Sequence, residues 1–414
     1  MLKCGLLGEK LGHSYSPQIH ALLGDYEYRL YEKAPDEVAS FLLQEDLDGL
    51  NVTIPYKKTV AALCDELTPA AKKLGSVNTV AFRKDASGRR KLLGDNTDYA
   101  GFKYLVKQSG MSVSGKECLV LGSGGASVTV RAVLQDLGAA DVVTISRTGE
   151  DNYGNLDRNE GADILVNTTP LGMYPGNGAK AVDLERFPWL DAVYDIVYNP
   201  ARTALMMQAD SLRIPNFGGL AMLVAQAKAA SEVFTGERIE DRVIPIITQV
   251  IGARQQNIAL IGMPGCGKSS VGKILAEKTG RPFVDADAAI EKKAGCTIPE
   301  IFAKGGEEAF RKLETEVLAE LGKRSGAVLA TGGGCVTRPE NYPLLHQNSR
   351  IVWIRRDLSL LPSDGRPISQ TNDIKQIYEN RKALYDRFAD HIVTNDTTPE
   401  ACADSILESL ELQK

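Results

Sequence analysis

At about 150 residues per domain, a chain of 414 residues points to two or three domains rather than one. Hydrophobic and charged fractions of 43% and 24% are those of a globular protein, and a net charge of −5 excludes the broad basic surface of a general nucleic-acid binder. No run approaches the roughly 20 apolar residues of a membrane helix.

The start, "MLKCGLLGEKLGHS", has no secretory pattern, and the seven cysteines include no C-x-x-C pair. A cytoplasmic protein with reduced thiols and no nucleic-acid or membrane partner is expected. His13, His20, His346 and His391 show no metal-ligand spacing. In chain order, "KCGLLG" (3–8) predicts a buried strand. A helix is expected after "SYSP", where serine can cap and Pro17 suits the first turn. "LDGLNVTIPYK" (47–57) predicts a strand, a proline-marked loop and a further helix. "KECLVLG" (116–122) predicts a strand, with a helix through "SVTVRAVLQDLG" after it. "ADVVTISR" (140–147), "ADILVNTTP" (162–170) and "AVYDIVY" (192–198) predict more strands. This alternation is the βαβ rhythm of a parallel sheet covered by helices. "GLAMLVAQAKAASEVFTG" (219–236) predicts a long helix ending at Gly236. After "VIGARQQ" (250–256) the pattern restarts with "NIALIG", which places a short linker and the main boundary near 252–256.

Two glycine-rich turns carry the chemistry. In "LVLGSGGAS" (119–127), Gly122, Ser123, Gly124, Gly125, Ala126 and Ser127 stand between a strand and a helix, a variant of the dinucleotide turn. The next strand runs into Ser146, Arg147 and Thr148. An arginine where NAD-binding proteins commonly carry an acid suits a 2′-phosphate, which favours NADP. "GMPGCGKS" (262–269) fits G-x-x-x-x-G-K-[ST]. The backbone at Gly265, Cys266 and Gly267 can wrap phosphate oxygens, with Ser270 beside it. Lys268 can reach the β and γ phosphates of ATP, and Ser269 can ligate Mg²⁺.

Residues between and beyond these turns suggest what they serve. "HSYSP" offers Ser14 and Ser16, "NVTIPYK" Thr53 and Lys57, "SVNT" Asn78, and "GDNTDYAGF" Asp98. These groups suit a polyhydroxylated acid, and a lysine in a cleft near a carboxylate can donate a proton to a developing alkoxide. "RPFVDADAAI" (281–290) puts Asp285 and Asp287 at a strand end, where alternation would turn both to one cleft. "EEAFRKLE" (307–314) carries Arg311 beside Phe310 on an amphipathic helix. "AVLATGGG" (327–334) ends in three glycines, where backbone must approach something closely. "SDGRPI" and "NRKALYDRFA" supply Arg366 and Arg381.

The ordered set of phosphate loop, D-x-D, F-R-x-x-E, G-G-G, R-P and R-x-x-L-Y resembles shikimate kinase over nearly all of 257–414. The resemblance implies that Asp287 binds the acceptor hydroxyls and takes the proton. Arg311 and Arg381 would hold the acceptor carboxylate, with Gly333 against the ring. Arg366 would reach the phosphates from a lid, and Asp285 would help Ser269 order Mg²⁺. The elements S-x-S, N-V-T-x-P-x-K, S-V-N-T and G-D-N-T-D resemble shikimate dehydrogenase over about 2–250. So do "NTTPLGM" (167–173), "YDIVYNP" (194–200) and "GGLAMLVAQA" (218–227). This resemblance implies Lys57 as acid/base with Asp98 as its partner. Ser14, Ser16, Thr53, Asn78, Asp98, Tyr198 and Gln226 would surround the substrate. Gly122 to Ser127, Ser146 to Thr148, Ile196 and Gly219 would line NADP.

The expected fold class is therefore α/β. A two-lobed dehydrogenase would occupy 1–252, with a substrate lobe at about 1–100 and 220–252 and a Rossmann lobe at about 101–219. A P-loop kinase with a parallel sheet would occupy 257–414. One half would make shikimate from 3-dehydroshikimate and the other would phosphorylate it, in a monomer or homodimer. Two alternatives stand beside this reading. One is an NAD-dependent enzyme that oxidises quinate. The other is a chain with one non-catalytic half, against which Lys57, Asp98, Lys268, Ser269 and Asp287 are all present.

Overall fold

The computed structural model describes residues 1–12, 14–361 and 374–412. The chain forms two compact units, Met1–Tyr198 with Leu205–Gly252, and Asn199–Ala204 with Ala253–Lys414. The run "VIGARQQ", expected to end in a linker, lies almost wholly in a helix, Val243–Gln255. Ile244, Ile247 and Ile251 are buried on it at helical spacing, which explains why an apolar face rather than a loop forms there.

The first unit holds two sheets. One has the order β2-β1-β3-β5-β6-β4, from β1 (Lys3–Gly8), β2 (Glu27–Glu32), β3 (Gly49–Val52), β4 (Glu66–Leu67), β5 (Thr79–Lys84) and β6 (Arg90–Asp95). β1 runs parallel to β2 and β3, whereas β5 is antiparallel to β3 and β6. The ends of β1, β3 and β6 and the start of β5 therefore share one edge, and Asn51 opposite Thr79 and Thr79 opposite Asp95 mark it. The helix expected after "SYSP" starts at Ser16 and runs to Leu23, with Pro17 in its first turn. Serine does not cap it. Tyr15 holds the cap position, and Ser14 Oγ instead accepts the Ser16 N–H at 3.2 Å.

The other sheet is all parallel, with order β11-β10-β9-β7-β8 from β7 (Glu117–Leu121), β8 (Asp141–Ile145), β9 (Ile164–Asn167), β10 (Ala192–Asp195) and β11 (Asn216–Gly218). The period of two along β7 is visible in its burial. Cys118 and Val120 join one core cluster with Val130 and Val133, while Leu119 and Leu121 join another with Leu165 and Val193. The strand read at 192–198 stops at Asp195.

The second unit has a parallel sheet of order β13-β14-β12-β15-β16, from β12 (Asn257–Ile261), β13 (Phe283–Asp285), β14 (Val328–Ala330), β15 (Ser349–Arg355) and β16 (His391–Thr394). β12 is central and buried throughout, as its unbroken apolar run requires. Its first residue, Asn257, is a buried polar clamp: Nδ2 donates to Arg324 O at 2.7 Å and Oδ1 accepts the Ala327 N–H at 2.9 Å. Among the described residues no helix is long and apolar enough to cross a membrane, and all seven cysteines are free thiols. Asn257→Ala strands the Ala327 N–H, while Arg324 O keeps the Asn348 amide at 2.8 Å, so we expect the second unit to lose about 1–3 kcal/mol in a urea titration followed by circular dichroism.

Candidate active sites

In the first unit the shared sheet edge gathers polar side chains from four segments. Lys57 opens the helix Lys57–Leu63, four residues beyond Thr53 at the exit of β3. Asp98 opens the helix Asp98–Ser109 after β6. Lys57 Nζ donates to Asp98 Oδ2 at 2.5 Å, and both side chains stay partly exposed, 27% and 18%. Asn78 Nδ2 donates to the other oxygen, Asp98 Oδ1, at 2.9 Å. The Asn78 amide is fixed in turn, since its Oδ1 accepts the Thr97 N–H at 2.7 Å and the Thr79 hydroxyl at 3.0 Å. Gln226 Oε1 reaches this group from the helix Leu220–Thr235, 3.4 Å from Thr97 Oγ1 and 3.5 Å from Asn78 Nδ2. The structure thus brings Lys57, Asp98, Asn78 and Gln226 together. Ser14 and Ser16 follow β1 at the same edge, and the Tyr198 ring lies 5.1 Å from that of Tyr15 between them. Asn51 and Thr97 were not singled out from the sequence, yet both sit inside the quoted motifs. Asn51 Nδ2 donates to Thr79 Oγ1 at 3.1 Å and its Oδ1 accepts the Tyr28 hydroxyl at 2.8 Å.

The second sheet of this unit has its own exit edge. Gly122 follows β7, and the helix Gly125–Asp136 begins after Gly124, with Ser127 Oγ donating back to Gly124 O at 2.6 Å. Ser123 belongs to the same turn, and Ala126 to the first turn of that helix. Ser146, Arg147 and Thr148 follow β8, with Arg147 and Thr148 exposed. Ile196 and Gly219 follow the neighbouring strands β10 and β11, and they touch. A Cβ on Gly219 would lie 2.1 Å from Ile196 O. Backbone N–H groups at a helix start, glycines free of side chains and an exposed arginine on the next strand fit a dinucleotide with an extra phosphate.

In the second unit the phosphate loop follows β12. Lys268 is buried, and its Nζ donates to Gly262 O at 2.9 Å and Met263 O at 3.0 Å, which holds the ammonium across the loop. Gly267 has φ 99°, and a Cβ there would meet Asn395 Nδ2 at 2.4 Å. That amide donates to Cys266 O at 2.8 Å, a support with no sequence signal of its own. Gly265 and the exposed Ser270 flank this turn. Ser269 Oγ donates to Asp285 Oδ2 at 2.7 Å, so two oxygens of the kind a hard divalent cation takes already meet.

Strand alternation does not relate Asp285 to Asp287, contrary to the expectation from the sequence. β13 ends at Asp285, which caps the next helix, Ala286–Ala294, by accepting the Asp287 and Ala288 N–H groups. Asp287 is a first-turn helix residue. Burial, then the neighbouring Asp285, raises its pKa above the usual carboxylate value, while Lys268 and Arg311 oppose the shift. Its Oδ1 has no hydrogen-bond partner among the described residues, and neither has Glu314 Oε1.

Each of the three glycines after β14 leaves space that a side chain would fill. A Cβ at Gly332 would lie 2.5 Å from Glu314 Oε1 and 3.0 Å from Asp287 Oδ1. One at Gly333 would lie 2.7 Å from the Pro264 ring of the phosphate loop, and one at Gly334 would strike the Arg311 guanidinium at 2.0 Å. Arg311 is buried and bonded to Glu314 and Glu307, and Arg381 Nη1 donates to Gly333 O at 3.1 Å. Glu314 is the E of F-R-x-x-E, and the sequence reading gave it no role. Arg366 lies outside the described residues.

Known proteins divide over the chain in the same order. A family model described as the shikimate dehydrogenase substrate binding domain matches residues 6–80, and one described as shikimate kinase matches 264–411. The shikimate dehydrogenase (NADP(+)) of Clostridium perfringens (strain 13 / Type A) is 34% identical over 257 residues, covering 57% of this chain and 93% of the relative. The shikimate kinase of Synechococcus sp. (strain CC9605) is 42% identical over 187 residues, covering 43% of this chain and 92% of the relative. The chain belongs to both families, shikimate dehydrogenase and shikimate kinase. For the dehydrogenase unit, a similar solved structure is the shikimate 5-dehydrogenase of Thermus thermophilus in complex with NADP(H) and shikimate. It has a TM-score of 0.54 and 28% identity, and the match covers 60% of this chain and 99% of that one.

For the kinase unit, a carboxyl whose pKa is raised on folding disfavours the fold once pH passes its unfolded value, 3.8 for Asp287, and the cost is complete above the folded value. Asp287→Asn should therefore stabilise the unit by about 0.5–2 kcal/mol at pH 7. The gain should shrink as pH falls toward 3.8, as measured by urea unfolding at several pH values.

Proposed function

We propose that the chain carries out two consecutive reactions of aromatic amino-acid precursor synthesis. The dehydrogenase unit reduces 3-dehydroshikimate to shikimate, and the kinase unit converts shikimate to shikimate 3-phosphate. What supports the reading is a pair of charged groups, one in each unit: Lys57 on Asp98 in the first, and buried Asp287 within reach of the charges of Lys268 and Arg311 in the second. In the dehydrogenase unit NADPH supplies the hydride. Lys57 donates the proton to the ketone oxygen, while Asp98 holds the ammonium in place. Ser14, Ser16, Thr53, Asn78, Tyr198 and Gln226 orient the substrate. The turn Gly122–Ser127, with Ser146 to Thr148, Ile196 and Gly219, holds the cofactor, and Arg147 reads its 2′-phosphate.

In the kinase unit ATP supplies the phosphoryl group. Gly265 to Ser270 hold the phosphates, and Ser269 and Asp285 hold Mg²⁺. Arg311 and Arg381 fix the acceptor carboxylate, and Gly333 admits its ring. Asp287 takes the proton of the 3-hydroxyl as its oxygen bonds to the γ-phosphorus and the bond from that phosphorus to the β–γ bridging oxygen breaks, releasing ADP. We place the enzyme in the cytoplasm, as a monomer or homodimer without nucleic-acid or membrane partners.

The test is a coupled assay of the full chain with 3-dehydroshikimate, NADPH, ATP and Mg²⁺, following NADPH loss and shikimate 3-phosphate by mass spectrometry. Phosphate that depends on both nucleotides is expected, and NADPH loss with accumulating shikimate would sink the kinase reading. Lys57→Ala should lower reduction by about 10²–10⁴-fold and leave phosphorylation of added shikimate intact, with the converse for Lys268→Ala. Arg147→Ala should raise the NADPH KM about tenfold to a hundredfold and change that for NADH little, as measured by initial rates with each.

A further inference from the structure

The kinase unit holds a carboxylate where the acceptor's carboxylate is read to bind. The Arg311 guanidinium faces two acids. Nη1 donates to Glu314 Oε2 at 2.7 Å, while Nη2 and Nε both donate to Glu307 Oε1, at 3.1 and 3.3 Å. The acids differ in what leaving would require. The Glu314 side chain is 0% exposed, so parting it from Arg311 would leave a buried charge alone. The Glu307 side chain is 55% exposed and can turn into water. The edge it occupies, Nε with Nη2, is one that accepts a carboxylate bidentately. Backbone geometry adds to the contrast. Gly306, with φ 68° and ψ −169°, breaks the helix Ile298–Leu321 just before Glu307, so no continuous helical turn fixes Glu307 from its N-terminal side.

We infer that Glu307 is a resident stand-in for the acceptor's carboxylate, displaced when an acid substrate binds, and that it thereby sets the affinity threshold of the kinase unit for acids. This rests on the reading of Arg311 as carboxylate holder. An acid offering only a carboxylate exchanges one ion pair for an equivalent one and gains little. An acid whose hydroxyls also reach Asp287 gains those contacts in addition and stays bound. Glu307 thus keeps simple carboxylates out of the site and keeps the Nε–Nη2 edge of Arg311 paired between turnovers.

The experiment uses the full chain with saturating Mg·ATP and measures the shikimate KM and the Ki of cyclohexanecarboxylate as a competitor. Glu307→Gln should lower both by the same factor, about three- to fivefold, the size of a solvent-exposed ion pair. Glu308→Gln is the control, because it removes the same charge one residue along, where Glu308 pairs with Arg338. It should leave both constants unchanged. An equal fall in that variant would make the effect one of general charge and overturn the inference. A higher KM in Glu307→Gln would make Glu307 a support for Arg311 and overturn it as well. Arg311→Lys separates the two layers. If it leaves KM and Ki unchanged, the carboxylate reading fails, and the inference with it. If it raises both while Glu307→Gln lowers neither, the reading stands and the inference alone fails.

Discussion

A strand that pairs in parallel with its neighbour must be reached by a connection that climbs back across the sheet, so every strand of a parallel sheet releases the chain at the same edge. That constraint governs both nucleotide turns. Gly122, Ser146, Thr168, Ile196 and Gly219 leave one edge of the second sheet, and the phosphate loop, Asp285, Thr331, Arg355 and Asn395 leave one edge of the third. The mixed first sheet obtains the same result differently. Its antiparallel β5 arrives at the edge where β1, β3 and β6 leave, and Asn78 enters beside Asp98 for that reason.

Charge burial is the second demand. Arg311 and Glu314 are both out of water, and such a pair persists only with close geometry and nothing else crowding it. The backbone after β14 meets this by carrying no side chain for three residues, which lets the phosphate loop, the arginine and two carboxylate oxygens converge on it. Two of those oxygens, on Asp287 and Glu314, are left without protein partners among the described residues. An unsatisfied buried acceptor is costly unless a ligand supplies the donor, and a polyhydroxylated ring supplies several. The site is thus less stable than an apolar core of its size, in the way expected of a surface shaped for binding.

Much of this was legible in the sequence because strand, turn and helix signals fell at the same places. Apolar runs marked β1, β7, β9 and β12, and each glycine turn stood between a strand and a helix. What was not legible has physical causes. The position of Asp287 turned on a single residue: Asp285 can end a strand or cap a helix, and its two accepted N–H bonds decide for the cap. The segment before 256 carries isoleucines at helical spacing, and their burial makes it a helix. Glu307 and Glu314 stood in a quoted motif, but only distance and exposure distinguish a fixed ion pair from one that water can reach. Asn395 and Asn257 act through long-range bonds to backbone groups, which no local pattern encodes.

The Asn395 bond also bears on the order in which the molecule is made. It joins residues 129 positions apart, and Asn395 follows the last strand of its sheet. On a translating ribosome the phosphate loop emerges before β15 and β16 exist to flank and clamp it. Synthesis at about 5–20 residues per second leaves that loop waiting about 6–26 seconds for its amide, 129 residues along. For that interval the newborn chain carries a phosphate-loop sequence without the amide that supports it, and the second unit completes its nucleotide turn only after β16 has been made.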